Sequence, residues 1–310
     1  MRCTAAPTST RTSGMEAVLN DFVQVLRRHR LRVSPAESID ALRALGVPSL
    51  TSPSALTTAV GALVDDARAQ ARASTGEGPA PAGVDLPPGE LDEDAAKTLL
   101  DRLGIATPPR RACDDRAAAH RALAELPGPL AVKLLDARIT HKSDVGGVHL
   151  GVRDAAELDA ALDALEAIGA GRFLLESMAP PGVDLLAGAS RDPVFGPTVL
   201  LGLGGVVAEA LADVAVAPAA IGPAEAGALA DELAGRALLD GFRGGPVADR
   251  AALGAVLVAL GGLLLAHPDV DAVEINPLRV TADGLVALDA VLTRRGPHET
   301  GSARRAGGAG

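Results

Sequence analysis

Lys133 opens a run, KLLDARITHKSDVGG, that brings an imidazole, two ammonium groups, hydroxyls and carboxylates together just before a glycine pair. A lysine on the short apolar strand expected at 130–135 is unusual, because ammonium groups belong at surfaces. One that points from a strand into a cleft can clamp a phosphate. Thr140, His141, Lys142, Ser143 and Asp144 follow in the loop, and Gly146 and Gly147 let backbone N–H groups approach an anion closely. The G-x-x-x-x-G-K-[ST] spacing of a P-loop is absent. The chain holds 26 Arg but only three Lys, Lys97, Lys133 and Lys142. A compact ammonium and a planar guanidinium are not interchangeable at a phosphate, so lysine amid so much arginine is itself a signal. Taken alone, the run also reads as a polar solvated turn.

Three further constellations follow. In ESMAPPGVD, Glu176 ends a strand and a rigid Pro-Pro-Gly connection leads to Asp184. Such a segment can offer backbone hydrogen bonds to a planar base while Met178 packs on it, or serve as a structural hinge. In GLGG, Gly204 and Gly205 permit close backbone approach, without the later glycine or the initial βαβ setting of a dinucleotide fingerprint. In EINP, Glu274 and Asn276 share one face of a strand, because side chains alternate. A turn at Asp283-Gly284 returns Asp289 towards Asn276; strict register sets it opposite Pro277, so a bulge is expected. Carboxylate and amide oxygens suit Mg²⁺, which shares its coordination with substrate phosphates. The same residues also read as a polar strand end.

The elements around these residues mix helices and strands. Leu91, Ala95, Leu99 and Leu103 mark a helix stopped by Gly104. Further helices are expected at 155–168, 223–234 and 249–266. Strands are expected at 130–135, 148–152, 173–176, 185–189, 198–203, 270–275, 278–281 and 285–291. Residues 1–14 read as a disordered tail, 15–72 as a small helical unit with a capping box at Ser34–Glu37, 73–90 as a Pro/Gly linker, and 295–310 as a second disordered tail.

Composition narrows the function further. The net charge is −10, which argues against a general grip on nucleic acid. Trp and Tyr are absent and Phe numbers four, which argues against base-stacking platforms and membrane aromatic belts. Cys3 and Cys113 make neither a disulfide framework nor a four-thiolate zinc site. The first twenty residues lack a signal-peptide core, and the longest apolar stretch, 253–266, is too short to span a bilayer. A cytoplasmic protein with no nucleic-acid or membrane partner is expected.

Strand lysine, glycine-rich loop, carboxylate hinge and acid/amide pair occur in an order that resembles the ATP-grasp fold. The resemblance is close to the nucleotide-binding part of ADP-forming acyl-CoA (acetyl-CoA) synthetases, relatives of the succinyl-CoA synthetase β subunit. It covers about residues 91–293 and rests on ITHKSDVGGVHLGV, RDPVFGPTVLLGLGGVVAEALADVA, GFRG, and EINPL with LDA. It implies an α+β class with two α/β lobes, at about 91–170 and 171–294, and a nucleotide cleft between them. It further implies that Lys133 holds ATP or ADP phosphates and that the loop from His141 to Gly147 approaches the transferred phosphate. Glu176 and the backbone near Met178 take the adenine side. Asp184 stands where a ribose-contacting glutamate is usual. Asn276 and Asp289, with Glu274 nearby, hold Mg²⁺, and Arg243 of GFRG is a phosphate-side cation.

The implied reaction passes a phosphoryl group between acyl phosphate, histidine and ADP, with His141 or a partner's histidine as carrier. CoA-binding and ligase domains are not visible, so an α-type partner subunit that binds CoA and the carboxylic acid is expected. Val216 and Ala217 replace the aromatic residue and arginine usual in relatives. Two alternatives stay open: a carboxylate–amine ligase of the same fold, and a non-catalytic nucleotide-binding or regulatory subunit.

Overall fold

The computed structural model describes residues 83–139, 142–205 and 213–295. The helical unit at 15–72, both expected tails, most of the linker and His141 lie outside the described residues. Elements are α1 (Glu93–Arg102), β1 (Arg110–Cys113), α2 (Arg116–Glu125), β2 (Leu130–Leu134), a 3₁₀ turn (Lys142–Val145), β3 (Val148–Val152), α3 (Ala155–Ala167) and β4 (Phe173–Ser177). They continue with β5 (Val183–Asp192), β6 (Gly196–Leu203), β7 (Val214–Pro218), α4 (Pro223–Glu232), two 3₁₀ turns (Arg236–Leu239 and Phe242–Gly244), α5 (Arg250–Ala266), β8 (Val270–Thr281), β9 (Gly284–Ala287) and β10 (Ala290–Arg294). No helix among the described residues is long and apolar enough to cross a membrane.

Aspartate starts most of these helices. Asp92, Asp115, Asp154 and Asp249 each accept backbone N–H groups of the first turn, satisfying donors that the helix leaves open. α4 instead begins with Pro223, whose fixed φ suits that position. At the crossing of α4 and α5 the backbones nearly touch. A Cβ on Gly254 would lie 2.4 Å from the Pro223 carbonyl oxygen, so only glycine fits.

Two antiparallel sheets carry the fold. The first has the order β1-β4-β2-β3; the second has the order β10-β8-β5-β6-β7, with β9 also paired to β8. One core joins Leu130, Val132, Leu134, Phe173 and Leu175 of the first sheet to α2 and α3. The larger core joins the second sheet to α4 and α5. Because side chains alternate along a strand, Lys133 and Glu176 lie on the other face of the first sheet, away from α2 and α3.

The α+β class with two α/β sheet units expected from the sequence is present, but the sheets divide the chain differently from the expected lobes. β4, expected to open the large lobe, pairs with both β1 and β2 at the centre of the first sheet. Residues Leu91 to Ile105, expected in the small lobe, pack into the larger core behind the second sheet. The apolar face of α1 decides this: Ala96, Leu99 and Leu100 are almost fully buried there.

The end of the chain also differs in detail. β8 is one continuous strand, and its turn centres on Ala282 and Asp283, since Thr281 pairs with Gly284. The register then runs unbroken from Leu278–Ala287 to Ile275–Ala290, which sets Asp289 opposite Asn276 with no bulge. The turn lies one residue earlier than the Asp-Gly pair implied, because Gly284, at φ +127°, ends the turn as a strand residue.

Candidate active site

All three lysines of the chain converge on three carboxylates at the junction of the sheets. Lys133 Nζ, from β2, lies 2.7 Å from Glu93 Oε1, 2.6 Å from Glu176 Oε1 and 2.7 Å from the Leu288 carbonyl oxygen. Lys97 Nζ, from α1, uses the same partners: Glu93 Oε1 and the Leu288 carbonyl at 2.7 Å each, and Glu176 Oε2. Lys142 Nζ, at the start of its 3₁₀ turn, lies 2.9 Å from Glu93 Oε2 and 3.6 Å from Asp289 Oδ1. Of its three protons, each of Lys97 and Lys133 places two in well-aligned hydrogen bonds, Lys97 to Glu176 Oε2 and the Leu288 carbonyl and Lys133 to Glu93 Oε1 and the same carbonyl, with a further carboxylate oxygen held as a close ion pair. Lys142 is less well served, since Glu93 Oε2 accepts no well-aligned hydrogen bond from it. The ammonium side chains are only 0%, 8% and 4% exposed for Lys97, Lys133 and Lys142. Three cations against three carboxylates leave the cluster neutral, the condition for burying so much charge.

The electrostatics follow from that packing. Burial favours the neutral form of Glu93, but the ammonium groups of Lys133, Lys97 and Lys142 outweigh it and hold the carboxyl far below its usual range. Burial and the neighbouring Glu93 push Asp289 above its usual range. Burial lowers the Lys97 ammonium, helped by Lys133 beside it; burial acts on Lys133 too, but Glu93, Glu176 and Asp289 more than offset it and raise that group.

A pH dependence results. Below about pH 4.5 the unfolded chain protonates Glu93 while the folded chain does not. This costs the folded state about 1.4 kcal/mol per pH unit. Asp289 opposes that loss only down to its unfolded value of 3.8, below which the unfolded chain is protonated at both positions. Urea midpoints are therefore expected to fall below pH 3.8, with a slope that Glu93→Gln makes shallower by one proton. Equal slopes in the two proteins would contradict the ionised state of Glu93.

The site brings together Lys133, Lys142, Glu176 and Asp289. Glu274 and Asn276 lie on the exposed face of β8, where Asn276 Nδ2 donates to Glu274 Oε1 at 3.4 Å. Asp289 sits opposite Asn276 in the register. Among the described residues no group of three or more His, Cys, Asp and Glu side chains could hold a metal ion. Two carboxylates and an amide fit instead a hard ion that keeps positions for phosphate oxygens.

Other expected residues do different work. The N–H groups of Gly146 and Gly147 are taken by Ser143 O at 3.2 Å and Lys142 O at 2.7 Å, so the pair folds the loop onto itself and sets Lys142 in place. The Glu176 carboxylate serves the lysines, not a hinge, because strand alternation aims it at α1. The Met178 N–H donates to Pro129 O at 2.9 Å, and the Met178 side chain is exposed. Asp184 is held bidentately by Arg279 at 2.6 and 2.9 Å, apart from the lysines. Gly204 donates to the Asp184 carbonyl at 2.8 Å, and a Cβ there would meet the same peptide at 2.9 Å. Gly205 adopts φ +83° at the limit of the described residues.

Asp144 is exposed, with no contact to the cluster among the described residues. Arg243 lies on the 3₁₀ turn 242–244 at φ +53°, its guanidinium 5.4 Å from the Phe242 ring centroid; none of its described contacts is with the lysine cluster. Val216 and Ala217 lie on β7, the former exposed and the latter buried.

Glu93, Lys97 and the Leu288 carbonyl were not anticipated as parts of the site. Lys97 did carry a signal, since it is one of three lysines and stands four residues after Glu93 on one helix face.

Residues 87–293 match the family model for the ATP-grasp domain. The chain is 34% identical over 268 residues to trans-feruloyl-CoA synthase FCS1 from an unknown prokaryotic organism, covering 83% of this chain and 38% of the synthase. It is 31% identical over 211 residues to the β subunit of ADP-forming acetate–CoA ligase I of Pyrococcus furiosus, covering 64% of this chain and 90% of that subunit. The chain therefore spans well under half of the synthase but most of the β subunit. Among solved structures, dinucleotide-forming acetyl-coenzyme A synthetase 1 of Ca. Korarchaeum cryptofilum, in complex with coenzyme A, Ca-AMPCP and HgCl⁺, aligns with a TM-score of 0.63 and 30% identity over 66% of this chain and 93% of that one. The same synthetase in complex with coenzyme A and Mg-AMPPCP, its phosphohistidine segment pointing towards the nucleotide binding site, aligns with a TM-score of 0.58 and 32% identity, again over 66% and 93%. With a family match over most of the described residues and the fold to support it, this chain belongs to the ATP-grasp family.

Proposed function

We propose that the chain is the β-type, nucleotide-binding half of an ADP-forming acid–CoA ligase, acting in the cytoplasm with a CoA-binding α-type subunit that brings the carboxylic acid and CoA. The observation that carries this reading is the gathering of all three lysines on Glu93, with Lys142 3.6 Å from Asp289, which stands opposite Asn276 in the strand register. Such a site suits phosphoryl transfer, where positioning and charge neutralisation do most of the catalytic work.

In this reading Lys142, with donors to spare, and Lys133, by exchanging one of its acceptors, hold the phosphates of ATP or ADP. Glu274, Asn276 and Asp289 hold Mg²⁺, which when bound neutralises charge on the phosphates. The Met178 side chain packs on the base. His141 accepts the phosphoryl group or orients a partner's histidine; a neutral imidazole nitrogen is a suitable acceptor near pH 7.

The test is ATP formation from ADP, phosphate and an acyl-CoA by this chain mixed with an α-type subunit. Turnover that needs both chains and CoA is expected. Turnover that needs an amine and no CoA would select the carboxylate–amine ligase, and nucleotide binding without turnover a regulatory subunit. In the same assay, Asn276→Ala is expected to raise the Mg²⁺ requirement by at least about tenfold. A normal Mg²⁺ titration would remove Asn276 from the metal site.

A further inference from the structure

α1 belongs by packing to one sheet and by charge to the other. Ala96, Leu99 and Leu100 lie in the larger core, while Glu93 and Lys97 pair with Lys133 on β2 and Glu176 on β4. Glu93 is the carboxylate that meets all three lysines: Oε1 takes Lys97 and Lys133 at 2.7 Å each, and Oε2 faces Lys142 at 2.9 Å. Lys97 is fully buried and cannot itself reach a ligand. It repeats the contacts of Lys133 on Glu93, Glu176 and the Leu288 carbonyl.

We propose that Glu93 and Lys97 are positioning residues for the phosphate grip. Glu93 sets the spacing of Lys133 and Lys142 with one oxygen for each, and Lys97 keeps Glu93 and Glu176 in place behind them. The inference rests on the reading of Lys133 and Lys142 as phosphate ligands. A lysine ammonium rides on a flexible four-carbon stem, and ordering two of them before the ligand arrives removes that cost from binding. Glu93 is no mobile stand-in for a phosphate. It sits in the first turn of α1 with its side chain fully buried and in ion pairs with all three lysines.

The scarcity of lysine makes the test direct. Acetylation by acetic anhydride, mapped by peptide mass spectrometry, reports on Lys97, Lys133 and Lys142 and on no other side-chain amine. Lys142 also lines a cavity of about 330 Å³ that admits a small reagent. Glu93→Asp keeps the charge but draws the carboxylate back by one methylene. In folded Glu93→Asp, Lys133 and Lys142 are expected to label on the order of tenfold faster, and Mg·ADP, followed by titration calorimetry, to bind on the order of tenfold more weakly. Lys97→Met is expected to shift both readouts the same way and serves if Glu93→Asp does not fold.

A role in charge balance alone would be rescued by aspartate. Wild-type labelling and affinity in folded Glu93→Asp would therefore overturn the proposal. Tighter Mg·ADP binding in either variant would also overturn it, since Glu93 would then be a competing anion. Faster labelling in the variants, with no Mg·ADP binding by the wild-type chain, would support the spacing role and overturn the nucleotide reading alone.

Discussion

Glu176→Ala is expected to lower the unfolding free energy by about 3–5 kcal/mol, the usual cost of removing one partner from a buried charge cluster. Glu176 accepts from Lys97 and from Lys133, and its loss leaves three ammonium groups facing Glu93 and Asp289 alone. The penalty comes from the stranded positive charge more than from the lost contacts. Adding Lys97→Met should therefore restore much of the loss, because two cations again face two carboxylates. Urea unfolding of the two single variants and the double variant gives the coupling energy, expected at about 1–3 kcal/mol in the favourable direction. A Glu176→Ala protein within about 1 kcal/mol of wild type would mean that water reaches the cluster and screens it.

Lys133→Met is expected to abolish stabilisation by Mg·ADP. At a hundred times its Kd a ligand raises the unfolding free energy by about 2.7 kcal/mol, and the variant should gain none of it. Its stability without ligand should fall as well, because Glu93 and Glu176 lose a shared partner. The two effects separate in thermal unfolding with and without Mg·ADP. A lower Tm with a wild-type ligand shift would leave Lys133 as a structural lysine and assign the phosphates to Lys142 alone.

The parts of this site that were legible in the sequence share a physical reason. Lys133 was conspicuous because a cation in an apolar strand needs a partner, and Glu274 and Asn276 fell on one face because strands alternate. Asp289 was placed near Asn276, although the turn was set one residue late: Asp283-Gly284 looks like a hairpin pair, yet Gly284 bonds as a strand residue. Long elements with clear periodicity, such as α5, were found to within a residue.

What stayed hidden depends on contacts between distant segments. β1 is short, polar and half exposed, and α2 is rich in alanine with a weak apolar stripe. β4 reads as a strand from its residues, but nothing local says which sheet receives it. Two of the partners of Lys133 lie 40 residues before it and 155 after it, and the latter is a backbone carbonyl with no residue signature at all. The glycine pair misled for the opposite reason: freedom to cradle an anion is also freedom to close a tight turn, and here the turn consumes both N–H groups.

The sharing of α1 between the two sheets has a mechanical consequence. Any hinge motion that parts β2 from the link between β9 and β10 must carry Lys133 away from the Leu288 carbonyl, while Glu93 stays with the other half. A small gap would strand charges without admitting water to them, which is the costliest arrangement; a wide one would hydrate them all. The two halves should therefore snap between shut and ajar with little dwell time at intermediate angles, more like a toggle than a door on a soft spring.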